Sequence, residues 1–178
     1  MKKRKITLPF LVLTSFVLVA VFGTVVAYMF RKTEAKDNRF TPAVVECAVA
    51  EVFDGTTKTS VTVKNTGNVD AYLRVRLVTY WMDGEDNIAP KPSETISLTL
   101  PDGWLAASDN TYYYTSPVAP DQFTANLLSL STIELKHDGD YRQVVEVFAE
   151  AIQSDPEKAA KDSWGVTVDS NGSIVAVS

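Results

Sequence analysis

The chain of 178 residues holds one cysteine, Cys47, and one histidine, His137. A four-ligand Cys/His zinc site and an internal disulfide are therefore both excluded. Glycine and proline number eight each, too few for a collagen-like or low-complexity chain. With 46% apolar and 22% charged residues, the composition is not that of a wholly disordered chain either. There is no GxSxG elbow and no HExxH helix, so serine-hydrolase and zincin chemistry lack their defining residues. A Gly-rich phosphate loop and an internal repeat of fixed period are also missing. Charge itself is absent from residues 6–30, ITLPFLVLTSFVLVAVFGTVVAYMF.

That uncharged run follows a basic head, KKRK at 2–5. The pair has two readings. A secretory signal peptide carries an apolar region of about 7–15 residues before a small-residue cleavage site, and Val25-Val26-Ala27 suits cleavage between Ala27 and Tyr28. A transmembrane helix needs roughly 20 apolar residues, and the length of the run suits that. On the residues alone both stay open. Either way the basic head stays cytoplasmic and residues 31–178 are placed outside. Those residues hold 13 basic and 22 acidic side chains, net -9. An acidic exterior of this size is repelled by nucleic acid, so no nucleic-acid partner is expected.

Residues 31–41, RKTEAKDNRFT, read as a polar linker. From Pro42 the chain shows short alternating segments between turn signals. Val45, Cys47 and Val49 share one face. Val61 and Val63 alternate with Ser60, Thr62 and Lys64. Residues 71–81 place Ala71, Leu73, Val75, Leu77 and Trp81 on one face, with Tyr72, Arg74, Arg76 and Tyr80 on the other. Ile96, Leu98 and Leu100 alternate with Thr95, Ser97 and Thr99, and residues 123–135 read as interrupted strand. A period of two is the mark of a half-buried strand. Residues 141–152 fit both a helical stripe and a strand face; their β-branched content and their neighbours favour strand. Ser154-Asp155-Pro156-Glu157 predicts the start of a short helix that Gly165 ends, and Asn171-Gly172 predicts a final hairpin. Seven or more short strands and one short helix predict an antiparallel β-sandwich. The predicted organisation is a signal peptide or anchor at 1–30, a linker at 31–41 and a β-sandwich at 42–178.

Few residues invite chemistry. His137 lies in an HDGD turn and reads as solvated. Asp83, Glu85, Asp86 and Asn87 cluster in one loop, and Asp138 and Asp140 in another. Neither has EF-hand spacing, so both read as solvated turn acids, and no metal or cofactor is expected. Cys47 reads as a small buried apolar side chain. Tyr112, Tyr113, Tyr114, Trp81 and Trp104 are either sheet-covering aromatics or a contact surface for a glycan or protein, because alternation puts Tyr113 opposite Tyr112 and Tyr114.

Several segments in order resemble the TasA/camelysin family of exported Gram-positive proteins, including pilin-like biofilm-matrix members that depend on a dedicated signal peptidase. They are GTVVAY at 23–28, NRFTPAVVECAVAEVFDG at 38–55, VTVKNTGNVDAYLRVRLV at 61–78, YYYTSPVAP at 112–120, EVFAEAIQ at 146–153 and the WG at 164–165. The resemblance implies a jelly-roll-like sandwich behind an N-terminal hydrophobic helix, export to the cell surface or outside, and cleavage after Ala27. It also implies assembly into fibres or pilus-like polymers, with an N-terminal segment of one subunit (here residues 28–41) completing the sheet of the next. Camelysin members carry a metallopeptidase label, for which this chain offers no ligand set. The expectation is a non-catalytic structural protein whose partners are its own copies, other matrix or envelope proteins and the signal peptidase. The membrane is a partner through residues 6–30 if they are not cleaved. A membrane-anchored binding module is the alternative, and a camelysin-like surface peptidase a more distant one.

Overall fold

The computed structural model describes Ser15, Val17, residues 19–24, Tyr28 and residues 42–177. The described residues up to Tyr28 are helical, and no helix among the described residues is long and apolar enough to cross a membrane. The rest of the expected leader, including Ala27, and the linker at 31–41 lie outside the described residues. By contacts the chain divides into Met1–Thr41 and Pro42–Ser178.

The second unit is all-β apart from one short helix, and its sheets are antiparallel. Three strands, β1 (Cys47–Phe53), β2 (Thr57–Asn65) and β6 (Ile133–Glu134), form one sheet in the order β1-β2-β6. Five others form a second: β3 (Ala71–Met82), β4 (Trp104–Ala106), β5 (Thr111–Tyr114), β7 (His137–Asp138) and β8 (Tyr141–Gln153), in the order β4-β5-β3-β8-β7. The ambiguous segment at 141–152 is thus a strand. It pairs with β3 from Ala71↔Gln153 to Met82↔Arg142. Side chains from the two sheets meet in a sandwich-like core: Val61 and Val63 from β2, Leu73, Val75 and Leu77 from β3, and Val145 from β8. This is the alternation that the sequence shows, converted into one dry face per sheet.

The other face of β3 departs from expectation. Tyr72 is 1% exposed, because a helix, α1 (Lys158–Trp164), and a hairpin of β9 (Val166–Val168) and β10 (Ile174–Val177) lie over that half of the sheet. Ala160, Val166, Val168 and Ile174 pack there against Tyr72 and Tyr113, and the Tyr72 hydroxyl donates to the Gly172 carbonyl at 2.8 Å. The α1 start differs from the capping expectation as well. Glu157 holds the N-cap position without a side-chain cap, while the Ser154 hydroxyl donates to the Asp70 carbonyl. Gly165 ends the helix in the left-handed conformation, at φ 65°, as glycine permits. The hairpin turn is organised less by Asn171 than by Asp169, whose Oδ1 accepts the N–H groups of Asn171 and Ser173.

Two expected strands are not strands. Residues 95–100 keep their alternation, with Ile96, Leu98 and Leu100 packed on the core, but no ladder partner pairs with them among the described residues. Their tie to the neighbouring segment is the Ser131 hydroxyl, which accepts the Thr99 N–H and donates to the Thr99 carbonyl. Residues 122–127 run beside β2, yet side chains stand in for main-chain acceptors. Asn126 Oδ1 takes the Val61 N–H and Thr124 Oγ1 takes the Val63 N–H. Period two reports which side chains are buried; it does not report who supplies the hydrogen bonds.

Candidate functional site

The aromatic residues singled out by sequence are inside the protein. Trp81, Trp104, Tyr112 and Tyr113 are all at most 5% exposed, and Tyr114 is half-buried. Trp104 stacks edge-on against Tyr114, with centroids 5.2 Å apart, and its indole N–H donates to the Ala125 carbonyl. Tyr113 meets Trp164 edge-on across the second core. The expected contact surface of Tyr112, Tyr113, Tyr114 and Trp104 is corrected accordingly. The strand does point Tyr113 away from its neighbours, but α1 and the last hairpin cover that side too.

The remaining candidates are placed as follows. His137 is exposed, at the start of the β7–β8 hairpin. Cys47 is half-buried, and burial pushes its thiol pKa up. Asp83 Oδ1 accepts the N–H groups of Glu85 and Asn87. Asp86 is paired with Arg142, and Asp138 with Lys91. Among the described residues no group of three or more His, Cys, Asp or Glu is arranged to hold a metal ion.

Turn acids instead stiffen loops. The Asp54 carboxyl is held below its ordinary value by the N–H groups of Thr56 and Thr57, Asp83 by Asn87, and Asp121 by the Lys64 ammonium. A depressed carboxyl binds fewer protons folded than unfolded, so its contribution is complete above the unfolded value of 3.8 and is lost as pH falls below it. Melting temperature should therefore hold level from neutral pH to about 5 and decline below 4; calorimetry across that range checks it. Asp54→Asn should flatten part of the decline.

What the structure does bring together lies along β1 and β8. Among the described residues β1 has a ladder partner on one side only, β2. β8 is paired with β3 along its length, but with β7 only at Tyr141 and Arg142. Beyond Gln143 its outer edge has no strand beside it among the described residues. These two edges, one from each sheet, flank a groove of about 660 Å³. Val145, Val147 and Leu135 give it an apolar interior, and Phe53 and Phe148, 43% and 48% exposed, stand at its rim.

One end of the groove carries charge. Between β1 and β2 the register slips: Val52 pairs with Ser60 but Phe53 pairs with Lys58, leaving Thr59 as the extra residue of a β-bulge. A bulge reverses the inside–outside alternation beyond it. Lys58 is consequently 5% exposed, where the sequence pattern puts it with Ser60, Thr62 and Lys64. Its ammonium donates to Glu51 Oε2 at 2.7 Å and lies 4.6 Å from the Phe53 ring centroid. Sequence reasoning missed this groove, since alternation identifies faces and not edges. The available signals were the long strand at 141–153 and a lysine opening a strand that then buries two valines.

A scan against protein-family models finds no match, and searches of curated proteins and of solved structures find none.

Proposed function

We propose that this chain is an exported, non-catalytic subunit of the cell envelope or extracellular matrix, which assembles when an extended segment of one copy lies in the groove of the next. The observation that carries the reading is the pair of strand edges, unpaired among the described residues, flanking a partly apolar groove. Edges of this kind offer main-chain N–H and C=O groups that an extended peptide satisfies. The occupant is the segment preceding Pro42. Residues 31–41 hold four basic and two acidic side chains, net +2, whereas residues 42–178 hold nine basic and twenty acidic, net -11. Opposite charge favours a copy's own segment over the acidic body of another copy. The jelly-roll connectivity, the matrix role and cleavage after Ala27 come from the TasA/camelysin resemblance and belong to the same reading. Cleavage at that bond leaves Tyr28–Thr41 as a free donor; retention of residues 6–30 leaves the subunit on the membrane.

Mass spectrometry of the protein recovered from cells should give an N-terminus at Tyr28, and electron microscopy should show polymers. Phe148→Glu puts a charge on the groove rim at a half-exposed position. It should leave the melting temperature nearly unchanged and abolish polymers. A protein that stays monomeric at high concentration with a free N-terminal segment, or a Phe148→Glu variant that polymerises normally, would overturn the reading.

A further inference from the structure

Resting on that groove as the assembly site, we infer that Lys58 is a specificity-determining residue, which donates to an acceptor oxygen of the incoming segment and thereby sets where that segment stops along β8. Three observations lead there. The bulge at Thr59 turns a lysine inward at the groove's charged end, and bulges recur where a side chain must be re-aimed. The side chain is 6% exposed, and an ammonium so enclosed needs its donors filled. It has three N–H donors, and Glu51 is the one acceptor it reaches among the described residues. Its other surroundings are apolar or already engaged. Phe53 and Ile133 are its ladder neighbours on either side. Gln143, on β8, spends its side-chain oxygen on the Lys136 N–H.

A carbonyl or carboxylate oxygen on the entering chain would accept from the same ammonium, which has three donors. Strand pairing by main chain alone is indifferent to a slide of two residues, which preserves every side chain's facing. A single charged donor at one end of the groove breaks that indifference. The occupant is residues 31–41 of a second copy, on the charge argument above.

The test uses the processed protein from cells, in a Cys47→Ala background with Glu146→Cys on the groove wall. Partner cysteines replace Thr33, Ala35, Asp37 or Arg39 one at a time. With Lys58 present, disulfides between copies should concentrate at one position. Lys58→Met keeps the stem without the donors. It should raise the concentration for half-assembly roughly 10- to 100-fold, the worth of one charged hydrogen bond, and spread the disulfides over several positions. Lys58→Arg should restore both. Glu51→Ala removes the lysine's present acceptor and leaves the lysine's charge; its disulfides should stay at the parent's single position.

An unchanged half-assembly concentration and disulfide pattern in Lys58→Met overturns this inference alone. So does a Glu51→Ala variant whose disulfides spread as in Lys58→Met, which would make the pair a structural brace; this arm decides the matter if Lys58→Met does not fold. Absence of any disulfide between copies in the parent protein overturns the groove as the assembly site, and this inference with it.

Discussion

Replacing Trp104 by alanine should cost about 3–5 kcal/mol of stability, the range for deleting a large aromatic from a packed core. The indole is 4% exposed, sits edge-on to Tyr114 and donates its N–H to the Ala125 carbonyl. Three losses coincide: buried apolar area, an aromatic pair and a partner for a carbonyl. In a domain of this size the melting temperature should fall by about 10 °C or more. Trp104→Phe should recover part of the loss but not the hydrogen bond. Thermal unfolding followed by circular dichroism measures all three proteins. A Trp104→Ala variant that melts with the parent would return this residue to the surface, where the sequence pattern allowed it to be.

Asn65→Ala should cost about 2–4 kcal/mol, large for the removal of a small polar side chain. Asn65 is completely buried. Its Nδ2 donates to the Val69 and Val118 carbonyls at 2.8 and 2.7 Å, and its Oδ1 accepts the Gly67 N–H. One side chain thus holds the turn after β2 and the segment at 118 against the core. Without it, polar main-chain groups face a dry interior. Asn65→Asp, nearly the same shape, should be at least as damaging, because it trades two donors for a charge beside two carbonyl oxygens. Urea unfolding gives the free energies. Hydrogen exchange should show faster exchange at Gly67, since that amide loses the nearer of its two acceptors and keeps only the Glu46 carbonyl at 3.2 Å.

The neighbouring Gly67 tells the same story in steric terms. A Cβ there would come within 2.2 Å of the Val44 carbonyl oxygen. Asn68 also binds this incoming stretch, donating to the Pro42 carbonyl and accepting the Val44 N–H. The turn at 65–68 therefore clasps the chain where it enters β1, close to the start of the segment proposed to reach a neighbouring copy.

Much of the β architecture was legible because burial in a pleated strand is a local, alternating property. Leu73, Val75 and Leu77 needed only the pleat to declare their common face, and Val61 and Val63 did likewise. Turn chemistry was equally local at Gly165. Residues 95–100 and the first part of 123–135, before β6, misled for the complementary reason. Their side chains alternate or cluster as in a strand, but a strand also needs a neighbour's main chain, and Ser131, Thr124 and Asn126 supply those bonds instead.

The candidate site was the least legible part, and the cause is range. Tyr112 and Tyr113 look alike on paper as potential surface. Tyr112 is buried in the core between the sheets, whereas Tyr113 is covered by α1 and the β9–β10 hairpin, dozens of residues away. Lys58 reads as solvent-facing until a one-residue slip against β1 turns it over. Acidity and strand content follow from composition and short-range order, because they sum over residues or repeat every second one. The open edges of β1 and β8, the groove between them and the inward lysine arise from pairings across the whole chain, and no local pattern encodes which strand is left without a partner.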